Sequence, residues 1–423
     1  LEGVVFGLYA QEDIKNAAGE VVVEKDALIE LGTTDEEGKL VFQADLPHGK
    51  YYIQEVEHKP GYLPNDEVCS FDASYTDQTL ELLAFSEEIS NQPTITEFTK
   101  VDLTGGQEIE GAKMQILDQE GKVVEEWVSK KEAHVVYALA PGEYILHEEQ
   151  APTEQGYVRA EDVKFVVEET GDVQKVKMED DHTKVSISKT DITDGKEIEG
   201  AKLQILDQDG EVVESWTTGE EHLIEYLPVG TYTLHEEAAV DGYIVANDVE
   251  FTVEETGEIQ KVKMEDERAM GQLVIVKTDT DSKAALEGVE FVLLEKETGK
   301  EVGRLKTGKD GKAVSELLPI GTYENGVFKE PITYVLKETA TLKGYEKTEE
   351  EWEIVFTYQN DKTPVIEVVK EIQNKKIPET PGTVKPGPKT GDDTNWFLPL
   401  LALGVSAGMV AGLLYYRKRH KKA

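Results

Sequence analysis

The segment Ile109-Glu-Gly-Ala-Lys-Met-Gln-Ile-Leu-Asp-Gln-Glu-Gly121 returns as Ile198-Glu-Gly-Ala-Lys-Leu-Gln-Ile-Leu-Asp-Gln-Asp-Gly210. Likewise Val167-Glu-Glu-Thr-Gly-Asp-Val-Gln-Lys-Val-Lys-Met-Glu-Asp180 returns from Val253 in nearly the same words. Self-similarity of this kind means that one folding unit is used several times, and it narrows the choice of folds more than any other feature. Weaker copies of the first element stand at Leu1-Glu-Gly-Val-Val-Phe-Gly-Leu8 and Leu286-Glu-Gly-Val-Glu-Phe-Val-Leu293. Four units follow, 1–92, 93–181, 182–268 and 269–378, each the size of one small sandwich domain.

Within each unit, short alternating runs are separated by Gly, Pro, Asn or Asp turns, the pattern of an all-β sandwich. Side chains alternate with period two along a strand, so Val185, Ile187 and Lys189 share one face while Ser186 and Ser188 share the other. A lysine is thus sent inward. The same arithmetic places Lys100 with Phe98, and Lys277 with Leu273 and Ile275. It places Glu148 with Tyr144 and Leu146, Glu236 with Tyr232 and Leu234, and Glu338 with Tyr334 and Leu336. Near the end of each unit, Asp180 falls with Val176 and Met178, Asp266 with Val262 and Met264, and Asn374 with Ile372. The first unit keeps Glu55 with Tyr51 and Ile53, and Asn91 with Ile89. Burying separate charges costs several kcal/mol each unless they neutralise or pair. A Lys, a Glu and an Asp or Asn on apolar faces of the first, middle and last strands therefore need a common explanation.

These residues resemble the B-type, prealbumin-like repeats of Gram-positive collagen adhesins and pilins. The likeness rests on Lys before Val/Thr-Asp (Lys100, Lys189, Lys277) and on a Tyr-x-x-x-Glu…Gly-Tyr box. That box runs from Tyr51 to Tyr62, Tyr144 to Tyr157, Tyr232 to Tyr243 and Tyr334 to Tyr345, and the acceptors are Asn91, Asp180, Asp266 and Asn374. It covers residues 1 to about 378 and implies tandem Ig-like/prealbumin-like β-sandwich domains. It also implies intramolecular isopeptide bonds from Lys100 to Asp180, Lys189 to Asp266 and Lys277 to Asn374, assisted by Glu148, Glu236 and Glu338. An apolar site favours the neutral amine of a lysine and the protonated form of a glutamic acid. Such an acid can polarise the acceptor carbonyl and relay protons as water or ammonia leaves. The reaction occurs once per site, so the chain is not expected to be an enzyme. The plainer alternative is a buried Lys-Glu-Asp ion network with no covalent bond.

The step from reactive lysine to the Ile/Leu-Glu-Gly element is nine residues in three units (100 to 109, 189 to 198, 277 to 286). In the first unit that element starts at Leu1, so its lysine would lie upstream and Glu55 and Asn91 are an unpaired remnant. The chain also starts without Met or an export signal, as a processed form or fragment would.

At the other end, Pro388, Lys389, Thr390 and Gly391 precede a largely apolar run, 396–416, and a tail of Arg, Lys and His. About 20 apolar residues suffice for one transmembrane helix, and the cations hold the tail inside. The order resembles the LPxTG sorting signal, with Gly387 where the pattern has Leu. By that resemblance a sortase transpeptidase cleaves after Thr390 and joins it to peptidoglycan, and the membrane holds the precursor through 396–416. Residues 379–390 form a Pro-rich wall-spanning linker, and the sorting region covers 387–423.

The location expected is extracellular, covalently attached to the cell wall. Lys and Arg number 44 against 86 Asp and Glu, a net of -42, which excludes nucleic acid as a partner. The single Cys69, sharing a face with Phe71, cannot form an internal disulfide and is expected to be buried. His147 and His235 turn away from Glu148 and Glu236, Asp279-Thr-Asp281 and Asp207-Gln-Asp209 read as turns, and Trp127 and Trp216 as core. No cofactor or metal is expected. The reading is an anchored stalk or adhesin whose contact with a host surface or matrix protein would fall to an N-terminal region. The alternatives are a sortase-polymerised pilin subunit and the non-catalytic stalk of a surface enzyme whose catalytic domain lies upstream.

Overall fold

The computed structural model describes residues 1–74 and 83–378. The spacer 379–390, the sorting residues Pro388 to Gly391 and the apolar run 396–416 lie outside the described residues. The described chain is all-β: its only helix is the single turn Thr153–Gln155, and no helix is long and apolar enough to cross a membrane.

The second, third and fourth repeats are each a sandwich of two main sheets. In the second, one sheet orders His134–Tyr137, Ile95–Asp102, Val173–His182 and Tyr157–Val158; the other orders Val163–Val167, Gly142–Gln150, Lys113–Leu117 and Val123–Val128. The third repeats this order, and the fourth adds a hairpin of Gly321–Glu324 and Val327–Pro331. The leading strand of each repeat (Ile95–Asp102, Lys184–Asp191, Met270–Asp279) runs parallel to its closing strand (Val173–His182, Ile259–Arg268, Val365–Asn374). Parallel neighbours need a long crossover. Here the chain between them builds the opposite sheet and returns, and the core closes between the two.

Alternation drives this. Met270–Asp279 alternates half-buried and buried residues along its whole length, putting Leu273, Ile275 and Lys277 inward. The inward residues meet the other sheet in one apolar cluster per repeat, such as Phe98, Met114, Ile116, Leu146 and Met178 in the second. Full burial of side chains this size is worth roughly 1.5–3 kcal/mol each.

The first repeat departs from the pattern. It holds one four-stranded sheet, Leu28–Thr33, Val5–Ala10, Lys50–Glu57 and Val68–Asp72, beside the small pairing of Ile14–Lys15 with Val21–Val23. The last strand expected around Ile89 and Asn91 is not formed. In the other repeats a closing strand pairs along its length with a leading strand. Among the described residues, no strand pairs with segment 83–91 in this way. Instead an open cavity of about 710 Å³, lined by Phe6, Leu8, Leu40, Phe42, Ile53 and Asn91, separates segments 39–46 and 83–91.

The second, third and fourth repeats follow one another with almost no linker. Only Thr183 stands between Val173–His182 and Lys184–Asp191, and only Ala269 between Ile259–Arg268 and Met270–Asp279; both are fully buried. Thr94, Thr183 and Ala269 donate their N–H groups to the carbonyls of Gly61, Gly156 and Gly242, at 2.9, 2.9 and 2.8 Å. These are the glycines of the Gly-Tyr boxes. A Cβ on Gly156 would sit 2.4 Å from the Tyr226 carbonyl carbon, so only glycine lets the next repeat seat this closely.

Candidate functional site

In each of the last three repeats the inward lysine lies two residues before its strand's C-terminal end. Lys100 is level with Met178 of the closing strand and Asp102 with Asp180, so Asp180 is the diagonal neighbour of Lys100 on one face. The same offset relates Lys189 to Asp266 and Lys277 to Asn374. The glutamates arrive from the opposite sheet, on Gly142–Gln150, Gly230–Ala238 and Thr333–Ala340. Each of these strands is anchored four residues earlier by a buried or half-buried tyrosine whose hydroxyl donates to a backbone carbonyl. The bonds are Tyr144 to Ala140 at 2.9 Å, Tyr232 to Pro228 at 2.9 Å and Tyr334 to Pro319 at 2.7 Å.

All nine side chains converge in the cores, none more than 4 % exposed. Lys100 Nζ donates to Glu148 Oε2 at 2.9 Å and to Asp180 Oδ1. Lys189 Nζ lies 2.9 Å from Glu236 Oε2 and donates to Asp266 Oδ1. Lys277 Nζ donates to Glu338 Oε2 at 2.8 Å and to Asn374 Oδ1 at 2.5 Å. Backbone N–H groups of Ala160 and Ala246 hold Glu148 and Glu236 at 2.7 and 2.6 Å.

The acceptors divide into two chemistries. Burial, then the neighbouring glutamate, pushes Asp180 and Asp266 up to about 7 against the opposing pull of their lysines. Asp180 Oδ2 and Glu148 Oε1, like Asp266 Oδ2 and Glu236 Oε1, lack any other buried partner, the position a shared acid proton would occupy. In the fourth repeat an amide fills that role: Asn374 Nδ2 donates to Glu338 Oε1 at 2.8 Å and to Thr341 Oγ1 at 2.7 Å. Burial also pushes the Lys277 ammonium down, favouring the neutral amine.

In the first repeat Glu55 accepts from Asn91 Nδ2 at 2.6 Å and from the Asn65 N–H at 3.1 Å; both side chains are half-buried, and among the described residues no lysine pairs with them. Of the side features, His147 and His235 pair at 2.7 Å with Asp162 and Asp248. Trp127 and Trp216 stack on His134 and His222 at 4.2 and 4.4 Å against their cores. Asp207 and Asp279 cap turns. Cys69 is half-buried rather than fully so, and burial pushes its thiol up.

Sequence reasoning used Asp102, Asp191 and Asp279 only as letters of the motif after each lysine, with Asp279 also read as part of a turn, and gave none of them a role at the site. Their motif, Lys-x-Asp, and the Gly-Tyr box were two separate marks, yet in space they meet. Tyr243 donates to Asp191 at 2.8 Å, and Tyr157 and Tyr345 hydrogen-bond Asp102 and Asp279. The signal was the constant two-residue step from lysine to aspartate, which puts the acid at the strand's end, where a turn needs capping.

No curated protein matches the chain. Among solved structures, the Bacillus anthracis TIE protein is 24% identical, over 88% of this chain and 69% of that one, with a TM-score of 0.47. BcpA, the major pilin subunit of Bacillus cereus, is 15% identical over 67% and 99%, with a TM-score of 0.39. A streptococcal ancillary pilin is 16% identical over 68% and 99%, with a TM-score of 0.28. The family model of the SpaA prealbumin-like fold domain matches residues 1–85, 94–182, 183–268 and 271–331. With four tandem matches spanning well over half its length, the chain belongs to the SpaA prealbumin-like domain family.

Proposed function

We propose that this chain is a cell-wall-anchored stalk that carries load, attached by a sortase through Thr390 and stiffened by one isopeptide bond in each of its last three repeats. The observation behind this reading is the threefold recurrence of a buried Lys-Glu-Asp/Asn set joining the first and last strands. The neutral lysine amine attacks Cγ of the acceptor, an N–C bond forms, and the C–O or C–N bond breaks. The glutamate accepts a proton from the amine and passes it to the departing group, so Asp180 and Asp266 release water and Asn374 releases ammonia. Intact-mass measurement of the folded chain tests the reading. The expected deficit is two waters and one ammonia, and a mass equal to the translated sequence would overturn it.

The two acceptor chemistries predict different pH responses. Asp180 and Asp266 react as neutral acids, so bond formation in the second and third repeats should fall as pH rises through about 7. Asn374 carries no such proton, and the fourth bond should not share that decline. The same shift sets stability before bonding. A carboxyl raised from its unfolded value stabilises fully at low pH, and that contribution is lost as pH climbs through about 7. Cross-linked peptides quantified after cell-free synthesis at pH 6, 7 and 8 would show the divergence; parallel profiles would contradict it.

A further inference from the structure

Asp102 lies at the end of the leading strand of the second repeat. Its Oδ1 accepts the N–H groups of Thr104 at 2.7 Å and Gly105 at 2.6 Å, which fixes the turn that follows. From that turn the Leu103 N–H reaches back 2.9 Å to the carbonyl of Asp180, the cross-link acceptor. The arrangement recurs: Ile192 N–H holds the Asp266 carbonyl, and Thr280 N–H the Asn374 carbonyl, both at 3.0 Å. Each acceptor is thus held in place by a turn that a buried aspartate organises.

Besides Tyr157 of its own repeat, Asp102 reaches the next repeat through its other oxygen. Oδ2 accepts from the Tyr226 hydroxyl at 2.8 Å, and the same hydroxyl lies 3.0 Å from Thr104 Oγ1. Tyr226 adopts a left-handed backbone, φ 61°, which is strained for an aromatic residue and persists only where surrounding contacts enforce it. Its ring stacks on buried His182 at 3.9 Å. At the following junction the link is built differently. Arg268 Nε donates to Asp191 Oδ2 at 2.6 Å, and Tyr323 of the fourth repeat covers the guanidinium at 4.2 Å. The fourth repeat's Asp279 also caps its turn, through Asp281 and Ser282.

We propose that Asp102, Asp191 and Asp279 are positioning residues for cross-linking, and that Tyr226 of the third repeat helps to position the acceptor of the second. A repeat then completes the site of the one before it. This rests on the isopeptide reading above, and the experiment separates the two.

The full chain is made by cell-free synthesis, and the three cross-linked peptides are followed in time by mass spectrometry in wild type, Tyr226→Phe, Asp102→Leu and Asp102→Asn. Loss of one hydrogen bond to a charged group corresponds to a slowing of about tenfold when fully transmitted. Tyr226→Phe keeps the stack on His182 and should slow the Lys100–Asp180 bond about tenfold. The Lys189–Asp266 and Lys277–Asn374 bonds should keep their wild-type rates, which shows that the third and fourth repeats have folded. Asp102→Leu should slow the same bond further, and Asp102→Asn, which keeps the turn-capping oxygen, should recover most of the rate. Unchanged kinetics in Tyr226→Phe and Asp102→Leu would overturn the proposal, as would equal slowing of all three bonds. Absence of any cross-link in wild type would instead overturn the isopeptide reading itself.

Discussion

A chain carrying Glu338→Gln is expected to fold with Lys277 and Asn374 unjoined, so that it retains the ammonia that the proposed reaction would release from wild type. Glutamine keeps the shape of the side chain and can accept from Lys277, yet it cannot carry a proton from the amine to the leaving group. General acid–base assistance of this kind is worth about 10²–10⁴-fold in rate. The stability effect follows from topology. Lys277 and Asn374 are separated by 97 residues. By analogy with a disulfide, closing a loop of that length stabilises by roughly 4.7 kcal/mol through the unfolded chain. Thermal unfolding of the fourth repeat should therefore move down by many degrees while its mass reports the missing reaction. A variant that loses ammonia at the wild-type rate would remove Glu338 from the chemistry.

The second large effect concerns the first repeat. In a polypeptide starting at Leu1 it should open well before the others, because its single sheet borders a cavity of about 710 Å³ and its Glu55–Asn91 pair has no lysine to join. Its buried cluster is small, centred on Leu8, Ala10, Ile14 and Tyr51, whereas the fourth repeat packs Leu273, Ile275, Phe291, Leu336 and Phe356 among others. Lacking a cross-link alone is worth on the order of 4 kcal/mol, or about a thousandfold in opening equilibrium. Native-state hydrogen exchange should find the amides of Val5–Ala10 and Lys50–Glu57 about a thousandfold less protected than those of Ile95–Asp102 and Gly142–Gln150. Equal protection would overturn this expectation.

Much of this was legible in the sequence, because period-two alternation fixes which face a residue takes. Lys189 must be inward if Val185 and Ile187 are, and the structure brings it to Glu236 and Asp266. Alternation is blind to what crosses between elements. It missed the aspartate–tyrosine contacts because Asp191 and Tyr243 are brought together by the sandwich, not by either strand's own pattern. It also placed a strand around Ile89 and Asn91 that does not form, since alternation describes a strand's faces and says nothing of whether a neighbour exists to pair with it. Cys69 was expected to be buried for sharing a face with Phe71, but both are only half-buried.

The single-residue joints Thr183 and Ala269 carry one more consequence. A protease needs several residues of exposed, extended chain, and between these repeats it finds one buried residue. Hairpin turns inside the repeats stay open to it, such as the Asp118–Gly121 turn of the second repeat. With Lys100 joined to Asp180, that turn lies in a side loop of the covalent path, so a cut there nicks the chain without severing it. If the chain is the anchored stalk proposed above, damage to its surface would leave its outer end still tethered.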